Sequence, residues 1–396
     1  TTFNNNGTVN QSAGTLAATT LNVGAGDTFT QTGTGVINIT TTNIGLGGTL
    51  TVLNQGTGVI QGTSDNQGAV VFSGSYNTDA VLGTAANTLA FVTINAGQIL
   101  TLDQNADVTT LNNNGTINQS AGTANITTLN IAAGETVTQT GTGVLNTTTT
   151  NIVAGSTLTL LNQGTGTIRG TSDNQGALVF SGSYNTDAAL GTAANTLASI
   201  TVNAGQTITL DQNADVTTFN NNGIVNQSAG TANITTLNIG AGDTFTQTGT
   251  GVLNTTTTNV GKAATLTLNN QGSGTIQGTN DGDGALIFSG NYNTDAALGT
   301  AANTLASVTV NGGSTLILDQ NSKISLNTSP TIKDMDYFYK NLCEKLNNSG
   351  FFHSDFMKKS IMKNIKVLFN RAELSSQEIK TLNGIIKSLY EYNKQA

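Results

Sequence analysis

The stretch Thr1-Thr2-Phe3-Asn4-Asn5-Asn6-Gly7 decides the fold, because the chain repeats it twice at a fixed distance. It returns as Thr109-Thr110-Leu111-Asn112-Asn113-Asn114-Gly115 and again as Thr217-Thr218-Phe219-Asn220-Asn221-Asn222-Gly223, so that both steps are 108 residues. The triplet Asp-Gln-Asn keeps the same step, at 103, 211 and 319. A fixed long period is typical of a repeat array. We therefore divide residues 1–324 into copies 1–108, 109–216 and 217–324.

A shorter unit of about 21 residues lies within each copy. Leu21-Asn22-Val23-Gly24 resembles Thr42-Asn43-Ile44-Gly45, 21 residues later. This length suits one coil of a parallel β-solenoid, and five such units would fill a copy. We predict a mainly β fold, a right-handed parallel β-solenoid of three 108-residue repeats, with about 15 coils over roughly 70 Å. Five whole coils per copy would place equivalent residues, such as Ile117 and Val225, at the same corner.

The residue types of the copies favour such coils. Short runs with alternating apolar residues, such as Thr28-Phe29-Thr30-Gln31, lie between turn-forming Gly, Asn and Asp. In a solenoid the apolar residues would stack inside, while Asn and Thr would form ladders at the turns. A single proline in 396 residues fits strands that use nearly every backbone N–H. The alternatives are one β-sandwich per copy, which leaves the 21-residue unit unexplained, and disorder, which the regular Val, Ile and Leu positions disfavour.

The composition changes after residue 324. Residues 1–324 contain three basic and 15 acidic residues, a net charge of −12, whereas residues 325–396 contain 11 basic and seven acidic residues, a net charge of +4. The only Pro, Cys and His and all three Met lie in this second part. We predict a linker over 325–330 and a helical tail over 331–396. Because the chain begins inside a repeat and without Met, we expect a fragment or processed piece.

The array offers little chemistry. It contains no His and no Cys, which excludes His-based triads, thiol catalysis and Cys/His zinc sites there. Its negative charge argues against nucleic-acid binding. Acidic residues recur in every copy, and these positions fit turn-capping Asp better than acid pairs or calcium ligands: Asp65, Asp173, Asp281, Asp79, Asp187, Asp295, Asp103, Asp211 and Asp319. We predict no catalytic, cofactor-binding or metal-binding residue in the chain.

One Phe and one Tyr recur close together in each copy, at Phe72 and Tyr76 and the equivalent positions. Such a pair could contact a sugar or a protein partner. Packing in the core, or against a longer loop, is the commoner use of paired aromatic residues. We predict packing.

The array resembles a known type of bacterial surface protein. The strings Asn-Asn-Asn-Gly-Thr-Ile-Asn-Gln-Ser-Ala-Gly (112–122) and Gly-Thr-Gly-Val-Leu-Asn-Thr-Thr-Thr-Thr-Asn (141–151) are similar to passenger repeats of autotransporters, especially the surface cell antigens of rickettsiae. The resemblance covers residues 1–324. It implies a non-enzymatic adhesin or spacer at the cell surface, with an unknown host or surface ligand. The C-terminal β-barrel of that family does not follow the repeats, so the resemblance does not imply that this chain is secreted.

The tail carries three apolar stripes at helical spacing. The first is Phe338, Leu342 and Leu346; Asn347-Asn348-Ser349-Gly350 ends that helix, and Phe351 and Phe352 would pack between helices. The second helix begins at about Asp355, and Ser375-Ser376-Gln377-Glu378 is a capping-box pattern for the third. The second stripe is Met357, Ile361, Ile365, Leu368 and Phe369, and the third is Ile379, Leu382, Ile386 and Leu389.

Five basic residues follow the second predicted helix, and they form either a solvated face or an RNA-facing patch: Lys358, Lys359, Lys363, Lys366 and Arg371. The stretch 365–374, Ile-Lys-Val-Leu-Phe-Asn-Arg-Ala-Glu-Leu, with Gln377-Glu378-Ile379 and Leu382-Asn383-Gly384-Ile385, favours the patch. It resembles the C-terminal helical extension of SPOUT-class RNA 2′-O-methyltransferases of the TrmH/TrmJ type. The preceding Leu346 and Gly350-Phe351 fit the same family.

This second resemblance implies contacts of the tail with RNA and helix–helix dimerisation. Enzymes of that class bind S-adenosylmethionine in a knotted α/β domain, but repeats occupy the region before the tail, so no catalytic or cofactor residue carries over. We interpret the chain as a surface-passenger-like solenoid fused to the helical tail of another protein. The alternative is an RNA 2′-O-methyltransferase relative that lacks its knotted domain. The first implies the cell surface, the second the cytoplasm, and no apolar run is long enough for a membrane span.

Overall fold

The computed structural model describes residues 1–320, 322, 332–371 and 376–395. The chain divides into two compact units, Thr1–Ile324 and Ser325–Ala396. The linker predicted over 325–330 lies outside the described residues. The first unit is the array, a parallel β-solenoid of about 16 turns, and the second contains three α-helices.

Each copy of the array contributes 11 strands, and every pairing between two of these strands is parallel. The first copy has β1 (Thr2–Asn5), β2 (Thr8–Gln11), β3 (Thr15–Val23), β4 (Thr28–Gln31), β5 (Val36–Ile44), β6 (Thr49–Val52), β7 (Thr57–Gly62), β8 (Gln67–Phe72), β9 (Tyr76–Asn77), β10 (Leu89–Ile94) and β11 (Ile99–Leu102).

The strands of the second copy follow in the same order: β12 (Ala106–Asn113), β13 (Thr116–Gln119), β14 (Thr123–Ile131), β15 (Thr136–Gln139), β16 (Val144–Ile152), β17 (Thr157–Leu160), β18 (Thr165–Gly170), β19 (Gln175–Phe180), β20 (Tyr184–Asn185), β21 (Leu197–Val202) and β22 (Thr207–Leu210).

The third copy completes the array with β23 (Ala214–Asn221), β24 (Ile224–Gln227), β25 (Thr231–Ile239), β26 (Thr244–Gln247), β27 (Val252–Val260), β28 (Thr265–Leu268), β29 (Ser273–Gly278), β30 (Asp283–Phe288), β31 (Tyr292–Asn293), β32 (Leu305–Val310) and β33 (Leu316–Ile317).

Each turn of the solenoid has three faces, because the longest strands bend across a corner. In β14 the buried residues alternate until Ile126, then Thr127 and Thr128 both point outward, and Leu129 points inward again. Two successive outward residues reverse the alternation, so the halves of one strand belong to neighbouring faces. The following short strand, such as β15, makes the third face. Thr127 is also omitted from the pairing of β14 with β12 and β16, as expected at a corner.

Equivalent strands of the three copies lie on different faces. β1 belongs to a sheet with β3, β5 and β7, whereas β12 lies between β10 and β14 and β23 lies between β21 and β25 in a third sheet. Along the first face the rungs after β1 are β3, β5, β7, Leu82 and Ala106, which is five turns, and residues 110–113 lie one face further on. Each copy therefore makes five and one-third turns.

This rotation corrects two predictions. Ile117 and Val225 do not share a corner, because β13 and β24 belong to different sheets. The array has about 16 turns where five whole coils per copy predicted about 15. The physical reason is that a turn takes roughly 20 residues, slightly fewer than the 21-residue similarity suggested, so three copies make up a whole number of turns only together. The right-handed sense stays a prediction, consistent with the general preference for right-handed parallel crossovers.

Apolar side chains stack in columns inside the solenoid, as predicted. Neighbouring turns bring the same inward position into register, and the members of one column that starts at the first turn are Val9, Phe29, Leu50, Val70, Val92, Leu111 and Leu129. From Phe29 onward each is at most 1 % exposed. Repeated burial of this kind, at roughly 25 cal/mol per Å² of apolar surface, is the main force that holds the coil together.

The second unit consists of α1 (Ile332–Asn348), α2 (Asp355–Arg371) and α3 (Ser376–Gln395), in agreement with the predicted three helices. α1 ends where the Asn-Asn-Ser-Gly stretch predicts, and Gly350 adopts a φ of +74°. The Ser354 hydroxyl caps α2 by accepting from the Met357 N–H at 3.2 Å. The ring of Phe338, which is fully buried, meets Phe369 edge-on at 5.0 Å, and Ile379 of α3 completes the centre.

The helical core is smaller than the three stripes predict. Leu368 and Leu389 are each 62 % exposed, and Phe351, predicted to pack between helices, is 47 % exposed and contacts Phe352. On α2 the inward position belongs to Ile365 and Phe369, four residues apart. Leu368 lies one residue, about 100° of helix, away from Phe369. Ser375 of the predicted capping box lies outside the described residues.

Candidate functional site

The recurring Asp residues of the array cap turns. The Asp103 carboxylate accepts from the Thr78 hydroxyl at 3.0 Å, and Asp211 accepts from Thr186 at the same distance. Asp65 accepts from the Thr88 hydroxyl at 2.5 Å, and Asp295 accepts from the Gly274 N–H at 3.1 Å. The described residues contain no group of three or more His, Cys, Asp or Glu arranged to hold a metal ion. The predicted role of these acids in turns is therefore confirmed for these positions.

The paired aromatic residues belong to the core. Phe72 and Tyr76 have ring centroids 5.0 Å apart, and the pairs of the other two copies repeat this arrangement. Phe72 is fully buried and Tyr76 is 6 % exposed. Burial, followed by the negative charge of Asp79, raises the pKa of Tyr76 to about 12. The phenol is a neutral packing group at neutral pH, in line with the packing that we predicted.

The outer surface of the array is built from side-chain ladders. In the first copy the Asn22 amide donates to Asn4, Asn43 donates to Asn22, and Gln61 donates to Asn43, at 2.8 to 3.0 Å. In the second copy Arg169 takes the place of the glutamine and donates through Nε to Asn151 at 3.1 Å. These amides satisfy one another along the rod, so the ladders are structural parts.

Three of the five predicted basic residues share one face of α2. Lys359, Lys363 and Lys366 follow the spacing i, i+4 and i+7, and all three are exposed. The ammonium group of Lys366 lies 5.3 Å from the centre of the Tyr339 ring, which holds its alkyl chain near the helix surface. We call these three residues the α2 basic face.

The structure separates the other two predicted residues from the α2 basic face. The Lys358 ammonium donates to the Asn347 amide oxygen at 3.3 Å and lies 5.9 Å from the Phe352 ring, so this side chain is turned toward the α1–α2 connection. Arg371 borders a shallow pocket with Asn364, Val367 and Leu368 on another side of α2. The run of basic letters in the sequence thus overstates the size of the patch.

A second surface was missed by the sequence reasoning. A groove of about 550 Å³ lies between α1 and α3, lined by Tyr337, Asn341 and Lys345 on α1 and by Asn383, Gly384 and Lys387 on α3. Its floor is the hydrogen bond from Asn341 Nδ2 to Asn383 Oδ1, at 2.9 Å. The spacing of Tyr337, Asn341 and Lys345, each four residues apart, was the available signal. It was hidden because the apolar stripe of the same helix drew the interpretation.

The far end of this groove is closed by a cation–aromatic contact. The ammonium group of Lys345 lies 4.3 Å from the centre of the Tyr390 ring, and it is 3.8 Å from the carboxylate of its neighbour Glu344. Tyr337 at the other end is 66 % exposed. An exposed ring, two amides and two lysines therefore meet along one helix–helix groove.

The comparison with protein families supports the resemblance seen in the tail. The family model described as tRNA methyltransferase TrmJ, C-terminal domain, matches residues 333–396. This match is confined to the second unit. No curated protein and no solved structure matches the chain at a significant level. Among the described residues, no helix is long and apolar enough to cross a membrane.

Proposed function

We propose that the helical unit binds structured RNA of the tRNA type through the α2 basic face. The observation that carries this proposal is the exposed set Lys359, Lys363 and Lys366 on one side of α2, within the segment that matches the C-terminal domain of a tRNA methyltransferase family. Lysines at this spacing lie about 6 to 10 Å apart along a helix. They can therefore contact successive phosphates of one RNA strand.

The test is a titration of the full chain with labelled tRNA by fluorescence anisotropy at 50 and 200 mM salt. We expect binding at low salt that weakens as salt rises, because bound lysines release counterions from the RNA. Changing Lys359, Lys363 and Lys366 to Gln should weaken binding at least tenfold at 50 mM salt. It should also lower the slope of log affinity against log salt by roughly 2 to 3.

The matched control removes three positive charges elsewhere on the same unit. Lys333, Lys340 and Lys380 are exposed residues of α1 and α3, outside the α2 basic face. Changing these three to Gln should leave most of the affinity. Equal losses from both triple variants would mean that only net charge matters, and absence of binding at low salt would reject the proposal.

The array supports a second candidate function, a non-enzymatic surface passenger or spacer, with the cell surface as its proposed location. The favouring observation is the outer ladder of amides, such as Asn4, Asn22 and Asn43, which repeats along the rod and leaves no single unrepeated cleft with charged side chains among its turns. Antibody labelling of intact against broken source cells tests this. Labelling only after the cells are broken would contradict a surface location and support a cytoplasmic one.

Catalysis is not part of either proposal. The alternative kept from the sequence is an RNA 2′-O-methyltransferase relative, and calorimetric titration with S-adenosylmethionine tests it, since binding would contradict the non-enzymatic proposal. Helix–helix dimerisation by the tail also stays a proposal. It is supported by exposed apolar residues on α2, Phe356 at 85 %, Val367 at 51 % and Leu368 at 62 %. Sedimentation of the full chain, with and without Leu368→Gln, tests it.

A further inference from the structure

The groove between α1 and α3 combines three kinds of group that nucleotides contact. The ring of Tyr337 is 66 % exposed, which gives it a face that is open to stacking. Stacking on an aromatic ring is the commonest way in which proteins hold an unstacked RNA base. The groove also contains Lys345 and Lys387, whose positive charges suit a phosphate flanking that base.

The floor of the groove presents a donor and an acceptor side by side. In the hydrogen bond between Asn341 and Asn383, the first amide uses Nδ2 and the second uses Oδ1. Asn341 Oδ1 and Asn383 Nδ2 remain as an acceptor and a donor on adjacent side chains. This pair matches the edge of a nucleobase, which also carries neighbouring donors and acceptors.

Gly384 keeps the α3 wall of the groove low. A Cβ built at this position would meet no atom within 4 Å, so the space beside the helix is open. A groove of about 550 Å³ is within the size range of small-molecule sites, which is roughly 300 to 1,000 Å³. One nucleotide therefore fits beside Gly384 without any movement of the helices.

We infer that this groove binds one unstacked nucleotide of a single-stranded RNA segment. The base stacks on Tyr337, its edge meets Asn341 and Asn383, and its phosphate lies near Lys387. The inference rests on the proposed function, because it adds a base-binding site to a unit proposed to bind RNA phosphates through the α2 basic face. The two sites differ in substrate preference, since phosphate contacts accept duplex and single strand alike.

The experiment uses the full chain, an unstructured RNA octamer and an RNA duplex, each followed by fluorescence anisotropy at one salt concentration. Gly384→Leu fills the groove and at the same time replaces a helical glycine by a better helix former, so the helix is retained. We expect it to weaken octamer binding about tenfold and to leave duplex binding within twofold. Tyr337→Ala should give a similar loss, whereas Tyr337→Phe, which keeps the ring, should stay within twofold of the parent.

Ser360→Leu is the matched control for an added leucine, because Ser360 is exposed on α2 and lies outside the groove. It should not change octamer binding. A second readout separates this site from the α2 basic face. Adenosine and uridine 5′-monophosphate, at millimolar concentration, should shift the backbone amide resonance of Gly384 in the parent and not in Tyr337→Ala.

Each result decides the inference. Unchanged octamer binding in Gly384→Leu, or equal losses in Tyr337→Phe and Tyr337→Ala, would overturn it, as would monophosphates that leave the Gly384 resonance in place. A chain that shifts this resonance with monophosphates but does not bind tRNA would retain the groove and reject the α2 basic face. The reverse result would reject the groove alone.

Discussion

Buried glutamines show how single residues hold neighbouring turns of the array together. Gln139 is 3 % exposed, and its amide donates to Gln119 Oε1 at 3.2 Å and to the Gly143 carbonyl at 3.0 Å. Its oxygen accepts from the backbone N–H groups of Leu161 and Asn162. One side chain thus joins three successive turns.

We predict that Gln139→Ala lowers the free energy of unfolding by about 2 to 4 kcal/mol, because it leaves a cavity and buried backbone donors without acceptors. Chemical denaturation of the full chain, followed by circular dichroism, measures the loss. Thr140→Ala, at the exposed neighbouring position, should change stability by less than about 0.5 kcal/mol. Equal effects of the two changes would contradict this role of Gln139.

The buried tyrosines predict a decline in stability at alkaline pH. The pKa values of Tyr76, Tyr184 and Tyr292 are each raised to about 12, mainly by burial, against about 10 in the unfolded chain. Below pH 10 both states are neutral and these groups add no pH dependence. Between pH 10 and 12 the unfolded chain binds fewer protons, so stability falls by up to about 1.4 kcal/mol per pH unit for each tyrosine.

Denaturation at pH 9, 10.5 and 11.5, repeated on Tyr184→Phe, measures this dependence. The variant should lose one third of the tyrosine-linked slope, since phenylalanine keeps the packing against Phe180 but cannot ionise. A phenolate absorbance change that accompanies folding-competent protein near pH 10 would argue against the raised pKa values. The same slope in the parent and the variant would do so as well.

At this scale the sequence predicts residues whose role depends on local chemistry. Asp in turns and paired Phe and Tyr were assigned correctly because turn and aromatic preferences are local. Buried Gln139 was not predicted, because its partners come from three turns that are distant in sequence. A signal was present: in Thr136-Val137-Thr138-Gln139 the glutamine has the same parity as the inward Val137.

Among the elements, the corner where a nine-residue strand meets a six-residue strand requires glycine. The register between β16 and β18 shifts there, between Asn146 and Thr149. Gly166 has a φ of +109°, and a Cβ on it would overlap the carbonyl oxygen of Thr147 in the neighbouring turn. The next turn of the coil can pack only because this side chain is absent.

We predict that Gly166→Ala destabilises the array by at least about 3 kcal/mol, through backbone strain and overlap together. Gly134→Ala is a matched control, since Gly134 also has a positive φ, +79°, but a Cβ there meets no atom within 4 Å. It should cost only the local strain, about 1 kcal/mol. Thermal unfolding of both variants by calorimetry makes the comparison, and equal costs would mean that contact between turns is unimportant at this corner.

The helical elements were predicted in number and order, and two of their apolar residues were misplaced. Periodicity identifies an amphipathic helix but does not tell how wide its buried stripe is. In a unit this small, the core accommodates Phe338, Tyr339 and Ile379 fully, and side chains one position off the centre line, such as Leu368, remain exposed. The extent of the α2 basic face was overestimated for the same reason, because the width of each face depends on contacts between helices.

For the whole array, the sequence period and the structural period are different quantities. The 108-residue step is visible in the letters, but the angle that one copy turns through depends on how many residues each corner takes up. A difference of less than one residue per turn changes five whole turns into five and one-third. Three faces of similar width accept this rotation, because each can hold the same inward columns, as the sheets that contain β1, β12 and β23 do.

The last prediction tests this rotation by deleting the second copy, residues 109–216. The new junction joins residue 108 to residue 217, which is equivalent to residue 109, so every strand pairing at the junction is retained. The array should keep its β content and shorten by about 26 Å, at ~4.8 Å per turn. The third copy should then occupy the orientation that the second has in the full chain.

Spin labels at equivalent corner threonines report this orientation, in a Cys343→Ser background that removes the free cysteine. Thr40, Thr148 and Thr256 are all exposed and differ by 108 residues. The distance from position 40 to position 256 in the deletion variant should equal that from 40 to 148 in the full chain, because a single screw operation relates neighbouring copies. A deletion variant that loses its β signal, or unequal distances, would show that the copies are not interchangeable and that the rotation between them is imposed by the particular sequence of the second copy.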